Sequence, residues 1–184
     1  MEEIQNTKHD IRNDTAKAID AFSKEEIEEK TSRIEARLFE FANFLESNIS
    51  LLYVNHGFEV NTRGILTRCL GYYKIAVLPA FNLETFQMKL MKVDNLETDL
   101  KMGPRGILEP DPAICKIVPI ERIDIAIIPG IAFDEKGARI GSGTGFYDRL
   151  IPELPITTRK VSLAFEDQII QQIPMESHDK YVDI

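Results

Sequence analysis

An α/β fold, with a mostly parallel central sheet flanked by helices in a single domain over residues 1–184, is what this sequence predicts. Three observations carry that expectation. Short continuous apolar runs alternate with helix-period segments, the pattern of strands buried on both faces. The 184 residues are the length of one domain and suffice for a core without disulfide or metal staples. Hydrophobic content of 43% with 28% charged residues is that of an ordinary globular chain.

The elements follow in order. Residues 4 to 21 carry Ile4, Ile11, Ala18 and Ile19 on a thin apolar stripe and predict a helix. Ser23-Lys-Glu-Glu26 has the form of a capping box. It opens a second helix to about Asn43, with Ile27, Ile34, Leu38, Phe41 and Leu45 on one face. These N-terminal helices, about 4–45, are expected to pack on the sheet. Ile49 to Val54 predicts a buried strand, and Gly57 marks a turn. Thr62 is placed to cap a helix to about Leu70, with Gly71 at the position of a C′ glycine. Lys74 to Leu78 predicts a strand stopped by Pro79, and Phe86 to Val93 one with an exposed face. Residues 101 to 112 contain Gly103-Pro104, Gly106, Pro110 and Pro112 and predict loop. Ile123 to Ile128 is the strongest strand and ends at Pro129-Gly130. A helix cut short by Pro152 and Pro155, a strand over Val161 to Phe165 and a short helix over Glu166 to Gln172 complete the pattern.

Composition narrows function. A net charge of −8 argues against a general nucleic-acid binder, which would present a basic face. Cys69 and Cys115 form no CxxC pair and predict free thiols. No apolar run approaches the ~20 residues of a membrane span, and Met1-Glu-Glu-Ile-Gln lacks the form of a signal peptide. A cytoplasmic monomer is the expectation.

Four of the ten glycines fall between Gly137 and Gly145, followed at once by Phe146, Tyr147 and Asp148. Glycine at every second position lets several backbone N–H groups converge on one anion. The spacing fits neither a P-loop nor a dinucleotide fingerprint, since about a dozen residues separate Ile128 from Gly141. On spacing alone a phosphate cradle and a glycine-rich hairpin that merely turns tightly both stand. Asp148 beside such a cradle would repel an anion unless a cation such as magnesium lay between them; otherwise it faces water or pairs with Arg149. Lys8 and Arg12 share a helix face at i and i+4, as phosphate ligands or as a solvated face. Arg139 sits within the glycine segment, and Glu59 lies just past the first strand. His9, His56 and His178 have no metal-ligand spacing, and no nucleophile elbow is present.

Taken together, these pieces resemble the 5-formyltetrahydrofolate cyclo-ligase family. Ile128-Pro-Gly-Ile-Ala-Phe-Asp134, Gly137 and Arg139-Ile-Gly-Ser-Gly-Thr-Gly-Phe-Tyr-Asp-Arg149 are similar to its VPG-x-AFD-x-x-G-x-RLG-x-G-x-GYYDR block. Lys8-x-x-x-Arg12, Glu59-Val-Asn-Thr62, Leu78-Pro79, Gly106-Ile-Leu-Glu-Pro110, Leu163-Ala-Phe-Glu-x-Gln168 and Pro174-x-Glu-x-His-Asp179 fall in the family's order. The resemblance implies a NagB/RpiA/CoA-transferase-like sheet and ATP- and Mg2+-dependent closure of 5-formyltetrahydrofolate to 5,10-methenyltetrahydrofolate, with ADP and phosphate released. It implies that Lys8, Arg12 and Arg139 neutralise the triphosphate and that Gly141, Ser142, Gly143, Thr144 and Gly145 hold its oxygens, beside Phe146 and Tyr147. Asp148 and Asp179 would position magnesium, and Tyr53 and Glu59, with the Phe146 and Tyr147 rings, would contact the folate. Arg139, Tyr147 and Asp148 are the residues it places closest to the chemistry. The sequence departs from the pattern at Ser142 and Thr144, where many relatives carry a basic residue, and at Phe146, where tyrosine is more frequent. Those two loop positions leave open an alternative, a non-catalytic nucleotide- or folate-binding relative.

Overall fold

A computed structural model describes residues 2–72 and 74–183. The chain opens with two helices, α1 (Glu2–Asp20) and α2 (Lys24–Leu38). Ser23 caps α2 as the spacing predicts: its hydroxyl accepts from Glu26 N, and the Glu26 carboxylate accepts from Ser23 N. The second helix is shorter than expected. It stops at Leu38, and Phe41 starts a separate short helix, α3 (Ala42–Glu46). The break lets Phe39 and Phe44 meet edge to face at 5.2 Å, which one straight helix would prevent.

The strand β1 (Ile49–Leu51) leads into α4 (Arg63–Gly71), then β2 (Ile75–Asn82) and β3 (Gln87–Val93). Two cap expectations fail here. The Thr62 hydroxyl does not cap α4; it donates to Tyr53 O, tying the loop after β1 to the helix start. Gly71 is the last helical residue, not a C′ glycine. Nor does Pro79 stop β2, which pairs on through Asn82 with antiparallel β3. Pairing with β1 reaches only Val77, so beyond it β2 has an open edge where a proline costs no ladder bond. The stretch predicted as loop, 101–112, instead contains a hairpin: β4 (Leu100–Met102) pairs with β5 (Leu108–Pro110). Gly103-Pro-Arg-Gly106 is its turn, so the turn residues were read correctly and the flanking strands missed.

The remaining strands are β6 (Ile125–Ile127), β7 (Ala132–Asp134), β8 (Arg139–Ile140), β9 (Arg159–Val161) and β10 (Ile169–Ile170), with the helix α5 (Phe146–Leu150) between β8 and β9. The predicted last strand is displaced toward the N-terminus. The predicted helix over 166–172 is a single 3-10 turn running into β10. The main sheet has the order β3-β2-β1-β6-β9, parallel except for β3. A smaller sheet, β10-β7-β8, sits beyond the end of β6.

Strand periodicity divides the core in two. Leu52, Ala76, Leu78, Ile125 and Ile127 face one way, under α2, α3 and α4, with Leu38, Phe44, Ile65 and Cys69 against them. Ile49, Leu51, Val77, Ala126 and Ile128 face the other way, under α5, with Phe146, Tyr147 and Leu150. The N-terminal end of the chain covers both sheets: Ile19 of α1 joins the first cluster, and Ile11 packs on the small sheet with Ala132, Ala138 and Ile140. Both cysteines are buried free thiols. Among the described residues no helix is long and apolar enough to cross a membrane.

Gln168 joins the two sheets from full burial. Its amide accepts from Phe165 N and donates to Phe58 O and Ile131 O. Gln168→Leu should therefore leave the buried Phe165 N–H and two part-buried carbonyls without a partner and destabilise the fold by about 2–4 kcal/mol, read as a lowered urea midpoint with unchanged slope.

Candidate functional site

β6 ends at Ile127, and β7 and β8 form a hairpin that returns the chain over the carboxyl edge of the parallel strands. In open α/β sheets that edge is where ligands lie. The segment 141–145 leaves β8 there and enters α5. Gly145 has φ +69, left-handed backbone a side chain would strain, and this lets the loop reverse into the helix. The loop residues Ser142, Gly143 and Thr144 are exposed. None of the backbone N–H groups from Ser142 to Tyr147 donates to a protein acceptor among the described residues. A run of open amides on a turning backbone makes an anion-binding concavity. At five residues α5 is too short to add much dipole, so the loop amides carry the attraction.

These amides border a cavity of about 290 Å³, and every site residue expected from the sequence lines it. Lys8 and Arg12 come from α1, Tyr53 and Glu59 from the loop after β1, Arg139 from β8, Phe146, Tyr147 and Asp148 from α5, and Asp179 from the C-terminal segment.

Their bonding differs from simple expectation at several points. Arg12 Nε donates to Gly141 O at 2.9 Å, so α1 is tied to the loop. Lys8 is 4% exposed and held between Asp179 Oδ2 at 2.5 Å and Glu176 Oε2 at 3.0 Å. Arg139 is 5% exposed; one terminal nitrogen donates to Asp148 Oδ1 at 3.0 Å, while its Nε has no partner. Burial pulls the Arg139 guanidinium below its usual range, and the negative charge of Asp148 opposes that. Phe146 is 2% exposed and packs against Phe81 at 4.9 Å and Phe86 at 5.9 Å. It is part of the wall rather than an open stacking platform.

Glu59 accepts from His56 N at 2.8 Å. Burial pushes its carboxyl up to about 7, against the opposing pull of that bond, Arg105 and Arg139. Burial likewise raises the Tyr147 and Tyr53 phenols, both aided by the charge of Glu59, so both rings stay neutral. Burial would raise Asp179 too, but the Lys8 ammonium and Glu176 N outweigh it and hold Asp179 below the usual carboxylate range.

A magnesium ion that bridges phosphates needs one or two carboxylate oxygens. Asp148 fits, because Oδ1 takes the Arg139 and Lys180 bonds while Oδ2 has no protein partner among the described residues. Asp179 fits less well, since Lys8 already occupies Oδ2. Glu176, His178 and Asp179 also converge within 4.8 Å, with Lys8 between the two carboxylates.

Sequence reasoning missed three cavity neighbours. Arg105 lies at the β4–β5 turn, inside the stretch read as loop. Gln5 and Glu176 bond each other across 171 positions, and local spacing carries no signal of that. For Arg105 the signal existed: a Gly-Pro-x-Gly turn between two short apolar stretches.

With cations, open amides and, among the described residues, no activated nucleophile around one cleft, the fold and its cavity fit an α/β enzyme of the nucleotide-using class, in which positioning and charge neutralisation do the chemical work. The chain belongs to the 5-formyltetrahydrofolate cyclo-ligase family, whose model matches residues 4–184. A probable 5-formyltetrahydrofolate cyclo-ligase from Caenorhabditis elegans is 29% identical, the match covering 100% of this chain and 93% of the relative. The 5-formyltetrahydrofolate cyclo-ligase of Escherichia coli K12 is 25% identical over 86% of this chain and 88% of its own. The solved structure of Aquifex aeolicus 5,10-methenyltetrahydrofolate synthetase superposes with a TM-score of 0.82 at 28% identity, covering 96% of this chain and 87% of that one. A Mycoplasma pneumoniae 5,10-methenyltetrahydrofolate synthetase, at 17% identity and a TM-score of 0.75 over 96% of this chain and 95% of that one, bears out the fold.

Proposed function

We propose that the chain converts 5-formyltetrahydrofolate to 5,10-methenyltetrahydrofolate at the expense of ATP. Family membership over residues 4–184 supports the activity. The observation that carries the site assignment is the shared cavity: open loop amides at 142–147 and the Glu59 carboxyl line one space.

The formyl oxygen of the substrate attacks the terminal phosphorus of ATP, forming an O–P bond as the bond to ADP breaks. The anilino nitrogen then attacks the activated formyl carbon, loses its proton and expels phosphate, closing the ring. The protein need supply no covalent group. The loop amides hold phosphate oxygens. Arg12 and Arg139 neutralise them, and Lys8 joins as phosphate competes for its bonds to Asp179 and Glu176. Tyr147 and Tyr53 wall off water beside Arg139 and Glu59. Magnesium, held by Asp148 Oδ2 with Asp179 as the second candidate, would neutralise phosphate charge. On the folate side, Glu59 accepts from the amino-pyrimidinone edge of the pterin.

Activity is expected to follow Glu59. Only the ionised carboxylate accepts two donors, so kcat/KM for 5-formyltetrahydrofolate should fall as pH drops through about 7. Glu59→Gln should lower that value about 10- to 100-fold, the range for a lost charged hydrogen bond, and flatten the pH profile in this region. The same group acts on stability with opposite sense. Its folded pKa lies above the unfolded one, so the folded state binds the extra proton and stability declines as pH rises from about 4.5 to about 7.

The proposal is tested by mixing chain, 5-formyltetrahydrofolate, ATP and magnesium and following the absorbance of the methenyl product. Turnover that requires both substrates and the metal is expected. Nucleotide binding without product would favour the non-catalytic alternative.

A further inference from the structure

The loop 141–145 carries no basic side chain of its own, so each cation that faces it comes from another element. Lys8 is already neutralised by two carboxylates and Arg139 by one. Arg105 differs. It is half-buried in the cavity wall, pairs with no carboxylate among the described residues, and has a terminal nitrogen 3.5 Å from Ser142 Oγ. Its guanidinium lies 4.4 Å from the centre of the Phe81 ring and 5.6 Å from that of Phe146. A guanidinium resting on aromatic faces keeps its N–H groups in its own plane, free to donate at the edge.

The support under Arg105 is built for position. Its turn closes through Gly103 N to Ile107 O and Gly106 N to Gly103 O. The buried Glu109 carboxylate lies directly under Gly103, where even a Cβ would overlap it, and accepts from Phe81 N. Glu109 thus ties the hairpin to the far end of β2. The field of Arg105 reaches Glu59 and Tyr147, whose upward pKa shifts it opposes. The guanidinium lines the same cavity as the glycine loop and the residues assigned to the folate.

We propose that Arg105 is a phosphate-binding residue that grips the outermost phosphate of the nucleotide from the β4–β5 hairpin, completing the ring of cations that α1 and β8 leave open. This rests on the nucleotide reading of the loop above. It deepens that reading by assigning a particular phosphate to a particular side chain. A guanidinium at the cavity wall without a carboxylate partner among the described residues is free to bind an anion, and the oxygens of the terminal phosphoryl group supply one.

The test uses the full chain as parent, Arg105→Met and Arg105→Lys, and measures direct binding of ATP, ADP and AMP by calorimetry with magnesium and without folate. Arg105→Met is expected to weaken ATP about 10- to 100-fold, the range for a lost charged hydrogen bond, and to change ADP and AMP by less than about 3-fold. Arg105→Lys, which keeps the charge and loses the planar stack, should recover part of the ATP affinity. Equal weakening of all three nucleotides would mean a structural role and overturns the proposal. So does unchanged nucleotide binding with a raised KM for 5-formyltetrahydrofolate, the mark of a folate carboxylate ligand. If Arg105→Met melts early, the parent-to-Lys comparison decides: the same ATP-to-ADP preference in both overturns the assignment as a stacked, bidentate phosphate ligand, and a reduced preference supports it. A parent that binds ATP over ADP without forming product would refute the cyclo-ligase reaction while leaving Arg105 to be judged by the same titrations.

Discussion

Arg139→Met is expected to lower kcat/KM for ATP by about 10³-fold, the largest single effect in the site. The side chain is nearly fully buried at the cavity floor, with one nitrogen on Asp148 and an unpartnered Nε. A buried donor without an acceptor is expensive, and a phosphate oxygen repays it. Removing the guanidinium removes that contact and also leaves Asp148 as an uncompensated negative charge facing the phosphates. Two losses of about 2 kcal/mol each, from the charged hydrogen bond and the unpaired carboxylate, combine to roughly that factor. Arg139→Lys should restore little, because an ammonium cannot serve Asp148 and a second acceptor in one plane. Steady-state kinetics against ATP check this, with circular dichroism to confirm folding. A loss confined to the KM for folate would move Arg139 out of the phosphate site.

Asp148→Asn should depress kcat by about 10²- to 10³-fold, the scale for loss of a charge-positioning group in the transition state. Its signature is the opposite response of affinity with and without metal. In EDTA the parent carboxylate repels ATP, so the amide should bind metal-free ATP equally well or more tightly. With magnesium present the parent should gain affinity and the variant should not. Calorimetric titration in the two conditions separates these outcomes. Equal turnover in variant and parent would remove Asp148 from the mechanism, and weaker ATP binding in EDTA would make its bond to Arg139 purely structural.

How much of this was legible in the sequence depended on the reach of each signal. The glycine run, the aromatic pair and Asp148 all fall between Gly137 and Asp148, so local spacing placed them at the end of a strand. The buried strands announced themselves as apolar runs. Pro79 misled because a proline ends a strand only where its missing N–H has a partner to lose, and the early end of β1 could not be read locally. The segment 39–41 misled because a continuous apolar stripe hides a break made by aromatic packing. In the site, what stayed hidden is long-range. Nothing near Lys8 foretells Glu176, and nothing near Arg12 foretells Gly141 O. Arg105 hides for another reason: the glycines and proline around it have the composition of loop but form the turn of the β4–β5 hairpin.

The central physical claim is that the triphosphate rests on the main-chain amides of 142–147. Amide shifts of the isotope-labelled chain, titrated with a non-hydrolysable ATP analogue and magnesium, test it directly. The account predicts the largest saturable changes at Ser142 to Tyr147, with the Arg12 and Arg139 side-chain N–H signals moving along the same curve. Saturable binding that leaves those amides unmoved and shifts another face of the molecule would contradict it.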